Sequence, residues 1–295
     1  MLLSSTPAVT DRVFIADLYD RGAEAEQHRL LQSPREQAEF ALAKELLGEY
    51  IAPESRVLDV GAGPGRYAEY LLRELGCRVG LVDLSPRSLE FFRQRVPRPG
   101  AGEILFTRTG CATQLDGLDG QSFDAVLLMG PLYHLLESEE RQSAIDQALR
   151  LLKPRGCLFA TFISPFSVFP RLLKNDAELL SNERFLDDLQ HRGLAPTSTA
   201  ASLPGTEPPY EFFSCWPSQA RALMDRCGVE TLRLRSLEGL LGLLNDEQIR
   251  PLNQGDRRDA WIRFHRKNCE HPDALGATTH FLLVGQPAGT GQTIT

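Results

Sequence analysis

No two of the six cysteines, Cys77, Cys111, Cys157, Cys215, Cys227 and Cys269, are spaced as C-x-x-C. This argues against a zinc knuckle or a redox dithiol and leaves buried thiols in a reducing compartment as the expectation. Neither sign of charge forms a long block: 32 Lys plus Arg face 39 Asp plus Glu, a net charge of −7. Without a basic face there is little to neutralise phosphates, so a small molecule, rather than nucleic acid, is the expected partner. Long apolar runs are missing too. Nothing approaches a membrane span, and MLLSSTPAVTDR lacks the basic and apolar regions of a signal peptide. No membrane partner is expected, and the localisation read from this is cytoplasmic. There is no internal repeat, and His265, His271 and His280 lack ligand spacing, so no metal is expected.

What is present is enough apolar residue, 42% of 295, to bury a substantial core. Composition shifts near residues 51 and 165. Before the first shift, Ser33, Pro34 and Glu36 form a helix cap, and the spacing in FALAKELLGEYI predicts a helix over 34–50. From Arg56 the order is strand (RVLDV), glycine turn, helix (RYAEYLLREL) and strand (CRVGLVDL), a βαβ unit of parallel type. Ser85 and Pro86 start another helix, ILFTRTG and FDAVLLMG read as buried strands, and Ser138 opens a further helix. LKPRG reads as a turn before the strand CLFATFI. Pro217 starts a helix that ends at Cys227-Gly228, and VETLRLRSLEG and THFLLVGQ complete seven strands. Two insertions interrupt them, at about 165–212 and 240–275.

The turn lies within VLDVGAGPGRY, residues 57–67, where Gly61, Gly63 and Gly65 remove the β-carbons that would keep backbone N–H groups from a ligand. Arg66 stands where a dinucleotide fingerprint has its third glycine, so a pyrophosphate is not the expected ligand. The next strand ends in Asp83, 24 residues after Asp59, where an acid can accept both hydroxyls of a ribose. A nucleoside is the expected ligand.

VLDVGAGPGRY, LVDLSP, FDAVLLMGPLYHLL and LRLLKPRGCLFATF resemble class I S-adenosylmethionine-dependent methyltransferases over residues 56–164. GPLYHL, LYDRGAEAEQHRL and HPDALGATTHFLLV resemble, more loosely, a bacterial group of small-molecule methyltransferases with an N-terminal helical lid. The resemblance implies a Rossmann-like α/β sheet of order 3-2-1-4-5-7-6 with its last strand antiparallel. It divides the chain into a lid (1–51), a cofactor-binding core (52–164), a cap over the acceptor pocket (165–212) and the rest of the core (213–295). It also implies S-adenosylmethionine as cofactor, with S-adenosylhomocysteine as product. Asp59, Gly61, Gly63, Gly65 and Gly130 would surround it, Asp83 would bind the ribose, and Leu84 would pack on the adenine. Where the family commonly has an acid for the adenine amino group this chain has Cys111, so Ala112 or Thr113 must substitute. Tyr19, with Glu26 and Arg29 nearby, would shield the sulfonium; an ordinary amphipathic helix is the alternative.

Tyr133 and His134 follow the fourth strand at the sheet edge where open α/β folds bind ligands. His134 is the candidate base or orienting group, with pocket lining as the alternative. Arg66 is offered either Glu26 or the cofactor carboxylate as partner, or solvent. His280 can reach the pocket from the sheet edge. FSVFPRLL and PPYEFFSCW provide aromatic surface for an aryl or indole acceptor, or for a plain core under the cap. The reading is methyl transfer to an N, O or C nucleophile of a small molecule, in keeping with secondary metabolism. An NAD-dependent dehydrogenase and a non-catalytic S-adenosylmethionine-binding protein are the rivals, and homo-oligomerisation is left open.

Overall fold

The Ser33 hydroxyl accepts from the Glu36 N–H while the Glu36 carboxylate accepts from the Ser33 N–H, and Pro34 occupies the first helical position. This capping box separates two helices, α1 (Arg12–Gln32) and α2 (Pro34–Tyr50), as the sequence predicts for the second. A computed structural model describes residues 12–96, 100–118, 122–175, 177–196, 210–253 and 256–289. After α2 come β1 (Arg56–Val60), α3 (Arg66–Arg73), β2 (Arg78–Asp83), α4 (Pro86–Arg95), β3 (Glu103–Thr109), β4 (Phe123–Leu128), α5 (Ser138–Leu151) and β5 (Leu152–Ile163). Ser85 caps α4 through the Ser88 N–H. Ser138 is the first helical residue of α5, and Glu137 before it makes no side-chain cap.

The insertion after β5 holds α6 (Phe169–Asn175), α7 (Glu183–Asp187) and a hairpin of β6 (Leu194–Pro196) with β7 (Glu211–Phe213). The chain then returns through α8 (Pro217–Arg226) and β8 (Val229–Ser236). After the short helices α9 (Asp246–Ile249), α10 (Arg257–Arg266) and α11 (Pro272–Leu275) it ends in β9 (His280–Pro287). The main sheet runs β3-β2-β1-β4-β5-β9-β8. Strands up to β5 pair in parallel, and β9 is antiparallel to both neighbours, matching the expected order.

Because side chains alternate across a strand, β1 and β4 each feed two cores. Leu58, Val60, Val126 and Leu128 face one layer with α5 and α8, whereas Val57, Ala125 and Leu127 face the other with α2, α3 and α4. LKPRG is not a free turn. The register passes from Phe123 opposite Leu152 to Ala125 opposite Cys157, so the intervening residues form a bulge within β5, with Arg155 at φ 65°. Asp124 fastens it, accepting from Lys153 Nζ at 2.8 Å and from the Arg56 N–H at 2.9 Å.

Gly65 owes its place to packing. Its φ is 75°, and a β-carbon there would lie 2.3 Å from the ring of Phe92, which is fully buried. Gly65→Ala combines a left-handed backbone with overpacking and is expected to lower stability by about 2–4 kcal/mol. An unchanged midpoint of urea unfolding would contradict this.

Candidate active site

The loop after β1 is tied to the end of β2 before any ligand is considered. Gly61 N–H and Ala62 N–H donate to the Val82 carbonyl at 2.8 and 3.2 Å, and Gly63 N–H donates to Asp83 Oδ2 at 2.6 Å. Asp83 Oδ1 accepts from the Ser85 N–H at 2.8 Å. Asp83 thus braces the loop from the ligand-facing edge of the sheet, while burial raises its carboxyl pKa above the ordinary range. Asp59 is 2% exposed and its Oδ2 has no hydrogen-bond partner. Burial, with a contribution from Asp83, pushes its carboxyl up to about 7. An orphaned carboxylate oxygen in this position calls for a cationic donor.

A cavity of about 590 Å³ opens over these residues, lined by Asp59, Gly61, Gly63, Asp83, Leu84 and Gly130 on the core side. Cys111 and Ala112 line it as well, and a β-carbon on Gly63 would meet nothing within 4 Å. Helix α1 forms the opposite wall with Tyr19, Glu26 and Arg29, and Tyr133 and His134 complete it. Three sets of polar contacts hold α1 across the strand ends. Arg12 donates to Thr113 Oγ1 and Glu140 Oε1, both at 3.0 Å; Asp20 accepts from Ser85 Oγ and the Arg87 N–H; and Arg29 reaches Glu39 Oε2 at 3.2 Å.

Three tyrosines surround His134. Tyr19 shares a 2.8 Å hydrogen bond with its Nε2, and the Tyr133 and Tyr210 rings lie 4.8 and 6.1 Å from its ring. Burial drives His134 down to about 4, so it is neutral near pH 7, and its Nδ1 has no partner. The same burial raises the hydroxyls of Tyr19, Tyr133 and Tyr210, which therefore stay protonated. Behind this wall, burial alone would raise Glu39, but Arg29 and then His280 hold it down at about 2. His280 is raised in turn because Glu39, 3.3 Å away, outweighs the effect of burial. Glu238 brings a third possible ligand atom, so that it, Glu39 and His280 lie within 4.8 Å of one another. Arg29 and His280 already satisfy Glu39 as an ion-paired group.

Several expectations change. Gly65 is not among the cavity residues; it accommodates Phe92. Thr113 lies behind the wall, holding Arg12 and sharing a 3.3 Å contact with Cys111 Sγ. Arg66 lines the cavity but pairs with Glu69 at 3.6 Å and covers the Phe40 ring, while Glu26 pairs with Arg29 at 2.7 Å. His280 sits behind Tyr133 and not on the cavity surface, with rings 6.2 Å apart. The aromatics of the insertion mostly meet one another. Phe166, Phe169 and Trp216 form one group, and Phe212 packs on Val168, Leu172 and Ala195. Only Tyr210, of the described aromatics there, comes close to His134. Residues 197–209 of the expected cap lie outside the described residues. Sequence reasoning passed over Arg12, Tyr67 and Met129, which also line the cavity; Tyr67, directly after the loop in VLDVGAGPGRY, was open to discovery.

A β3-β2-β1-β4-β5-β9-β8 sheet with β9 antiparallel, a glycine loop after β1 and an acid ending β2 define the class I methyltransferase fold. Residues 57–156 match the family model described as a methyltransferase domain. The family match covers about a third of the chain, and the sheet around it has the class I methyltransferase fold. A glycine/sarcosine/dimethylglycine N-methyltransferase of Actinopolyspora halophila is 32% identical over 111 residues, 38% of this chain and 19% of that protein. A ubiquinone biosynthesis O-methyltransferase of Methylocella silvestris is 34% identical over 111 residues, 37% of this chain and 40% of that one. The matched stretch thus spans well under half the length of either relative. The solved structure of the CcbJ methyltransferase from Streptomyces caelestis shares the fold, with a TM-score of 0.54 at 20% identity over 93% of this chain and 96% of that one. No described helix is long and apolar enough to cross a membrane.

If S-adenosylhomocysteine sets its cationic amino group against Asp59, protonation of that carboxyl competes with its binding. With a free-protein value of about 7, affinity is expected to fall roughly tenfold from about pH 8 to about pH 6. Asp59→Asn should flatten that dependence. A wild-type affinity independent of pH over this range would contradict the assignment.

Proposed function

We propose that the protein transfers a methyl group from S-adenosylmethionine to a nucleophile on a small molecule. One observation carries this reading: Asp59, whose Oδ2 has no partner, and Gly63, with open space where a β-carbon would stand, line the same cavity as Tyr19 and His134. Asp59 would take the amino group of the cofactor, and Arg29, which like Asp59 acts on the Tyr67 hydroxyl, would take its carboxylate. Asp83 would take the ribose through the remaining lone pairs of its oxygens, and Leu84, Cys111 and Ala112 would flank the adenine. The Cys111-Ala112 segment would supply backbone contacts in place of the family's acid.

When bound, the cofactor supplies an already activated methyl group, so the protein's task is alignment, exclusion of water and handling of the acceptor's proton. Helix α1 excludes water by lying over the strand ends. Tyr19 holds the His134 ring, and the free Nδ1 of His134 is left to orient the acceptor or receive its proton. An aromatic acceptor is supported by the Tyr19 and Tyr133 rings that line the cavity beside His134, and not by the phenylalanines and tryptophan of the insertion. Arg66, in place of a third glycine, speaks against the dehydrogenase reading.

Gly63→Val would place methyl groups in the cavity and a left-handed strain of about 1–2 kcal/mol on the loop. The variant is expected to fold but to lose S-adenosylmethionine binding by more than about 10²-fold in calorimetric titration. NADH should bind neither form. Binding of NADH to the native protein without S-adenosylmethionine binding would replace this reading with the dehydrogenase. His134→Ala is expected to reduce turnover by about 10²-fold with cofactor affinity little changed. A rate near normal at saturating acceptor would leave His134 as lining.

A further inference from the structure

The cavity is more acidic than basic, with Glu26, Asp59, Asp83, Glu137 and Glu140 on its lining against Arg12, Arg29 and Arg66. Each arginine is already engaged. Arg12 pairs with Glu140, Arg66 with Glu69, and Arg29 divides its charge between Glu26 at 2.7 Å and Glu39 at 3.2 Å. On the acidic side, Glu137 meets Arg192 at the rim, and Asp83 is held by two backbone N–H groups. Asp59 is the partner assigned above to the cofactor's amino group. Glu26 remains: it lines the cavity together with Tyr19 and Tyr133, binds Arg29 through Oε1 at 2.7 Å, and its charge adds to the rise of the tyrosine hydroxyls.

This chamber discriminates among nucleophiles. A phenol or carboxylic acid reacts as its anion, and that anion would sit beside Glu26, with Arg12 and Arg66 paired to acids and Arg29 shared among Glu26, Glu39 and the cofactor's carboxylate. An amine reverses the sign of each effect. Its ammonium form is attracted by the carboxylate and by the π-faces of the tyrosine rings, and its neutral form is nucleophilic without a further negative charge.

Resting on the methyltransferase reading above, we propose that the acceptor is a primary or secondary amine, held as its ammonium between Glu26 and the rings of Tyr19 and Tyr133 beside His134. The ammonium proton passes to the Glu26 carboxylate and on to solvent. The freed nitrogen lone pair then forms the new N–CH3 bond as the CH3–S bond breaks and its electron pair stays on sulfur. The products are a methylated ammonium and a neutral thioether. Glu26 is thus the specificity-determining residue, and Arg29 and Glu39 fix its position.

The test uses the full chain saturated with S-adenosylhomocysteine and three probes of one shape: 2-phenylethylamine, 2-phenylethanol and phenylacetate. Titration up to roughly 10 mM is expected to show the amine binding at least about tenfold more tightly than either of the others. Glu26→Gln, which keeps an oxygen for Arg29, should abolish that preference, and Glu26→Asp should retain part of it. Thermal melting and S-adenosylhomocysteine affinity report that the variants are folded. With S-adenosylmethionine instead, the amine should gain 14 daltons, the replacement of a hydrogen by methyl. Absence of amine binding, a preference for the alcohol or the acid, or an amine preference unchanged in Glu26→Gln would each overturn the proposal. Failure to bind S-adenosylhomocysteine at all would instead overturn the methyltransferase reading on which it rests.

Discussion

Three backbone N–H groups of the loop after β1 are committed to the end of β2, two to the Val82 carbonyl and one to the Asp83 carboxylate. A loop of that shape requires a backbone conformation that L-residues with side chains rarely adopt, and Gly61, Gly63 and Gly65 all have positive φ. Asp59, the residue two before the loop's first glycine, is left with its buried Oδ2 unpartnered. The site is therefore organised around an incomplete buried carboxylate. Fold stability and ligand demand both arise from this one local geometry.

Helix α1 answers that demand from the other side. It adds little continuous core of its own, but it brings Tyr19, Glu26 and Arg29 to the cavity and is fastened by Arg12, Asp20 and Arg29 to three separate parts of the core. The fastening is electrostatic, and the wall that α1 presents to the cavity sets Val13, Ile15, Tyr19 and Leu30 beside Arg12, Glu26 and Arg29. This combination dries the site and preserves its charge pattern: neutral histidine, protonated tyrosines and one carboxylate only partly compensated. The Glu39–His280 pair behind the wall keeps Arg29 in position from the sheet, so α1, α2 and β9 share one buried ionic network.

The order of strands and helices was legible because hydrophobic runs, caps and glycine turns are local signals. Ser33-Pro34-x-Glu36 predicted its helix boundary, and RVLDV followed by glycines predicted the central turn. The glycine roles were less so: Gly63 faces open space and Gly65 faces Phe92, a distinction set by a helix 20 or more residues away that spacing does not encode. The sequence leaves the partner of Arg66 open among Glu26, the cofactor carboxylate and solvent, because charge alone does not choose; tertiary placement gives Glu26 to Arg29 and Glu69 to Arg66. The bulge at Lys153–Gly156 looked like a turn because its composition is that of one; pairing with β4 carries the strand through it. The aromatics after Ser164 pack mainly among themselves, since an inserted segment needs a core before it can line a pocket.

The central claim is that this cavity holds S-adenosylmethionine in one orientation, and a crystal structure of the protein with S-adenosylhomocysteine tests it most directly. The account predicts the amino group at Asp59, the ribose at Asp83, the adenine beside Leu84 and Cys111, and the sulfur turned toward Tyr19 and His134. A ligand bound elsewhere, or with its adenine against Tyr19 and His134, would contradict it.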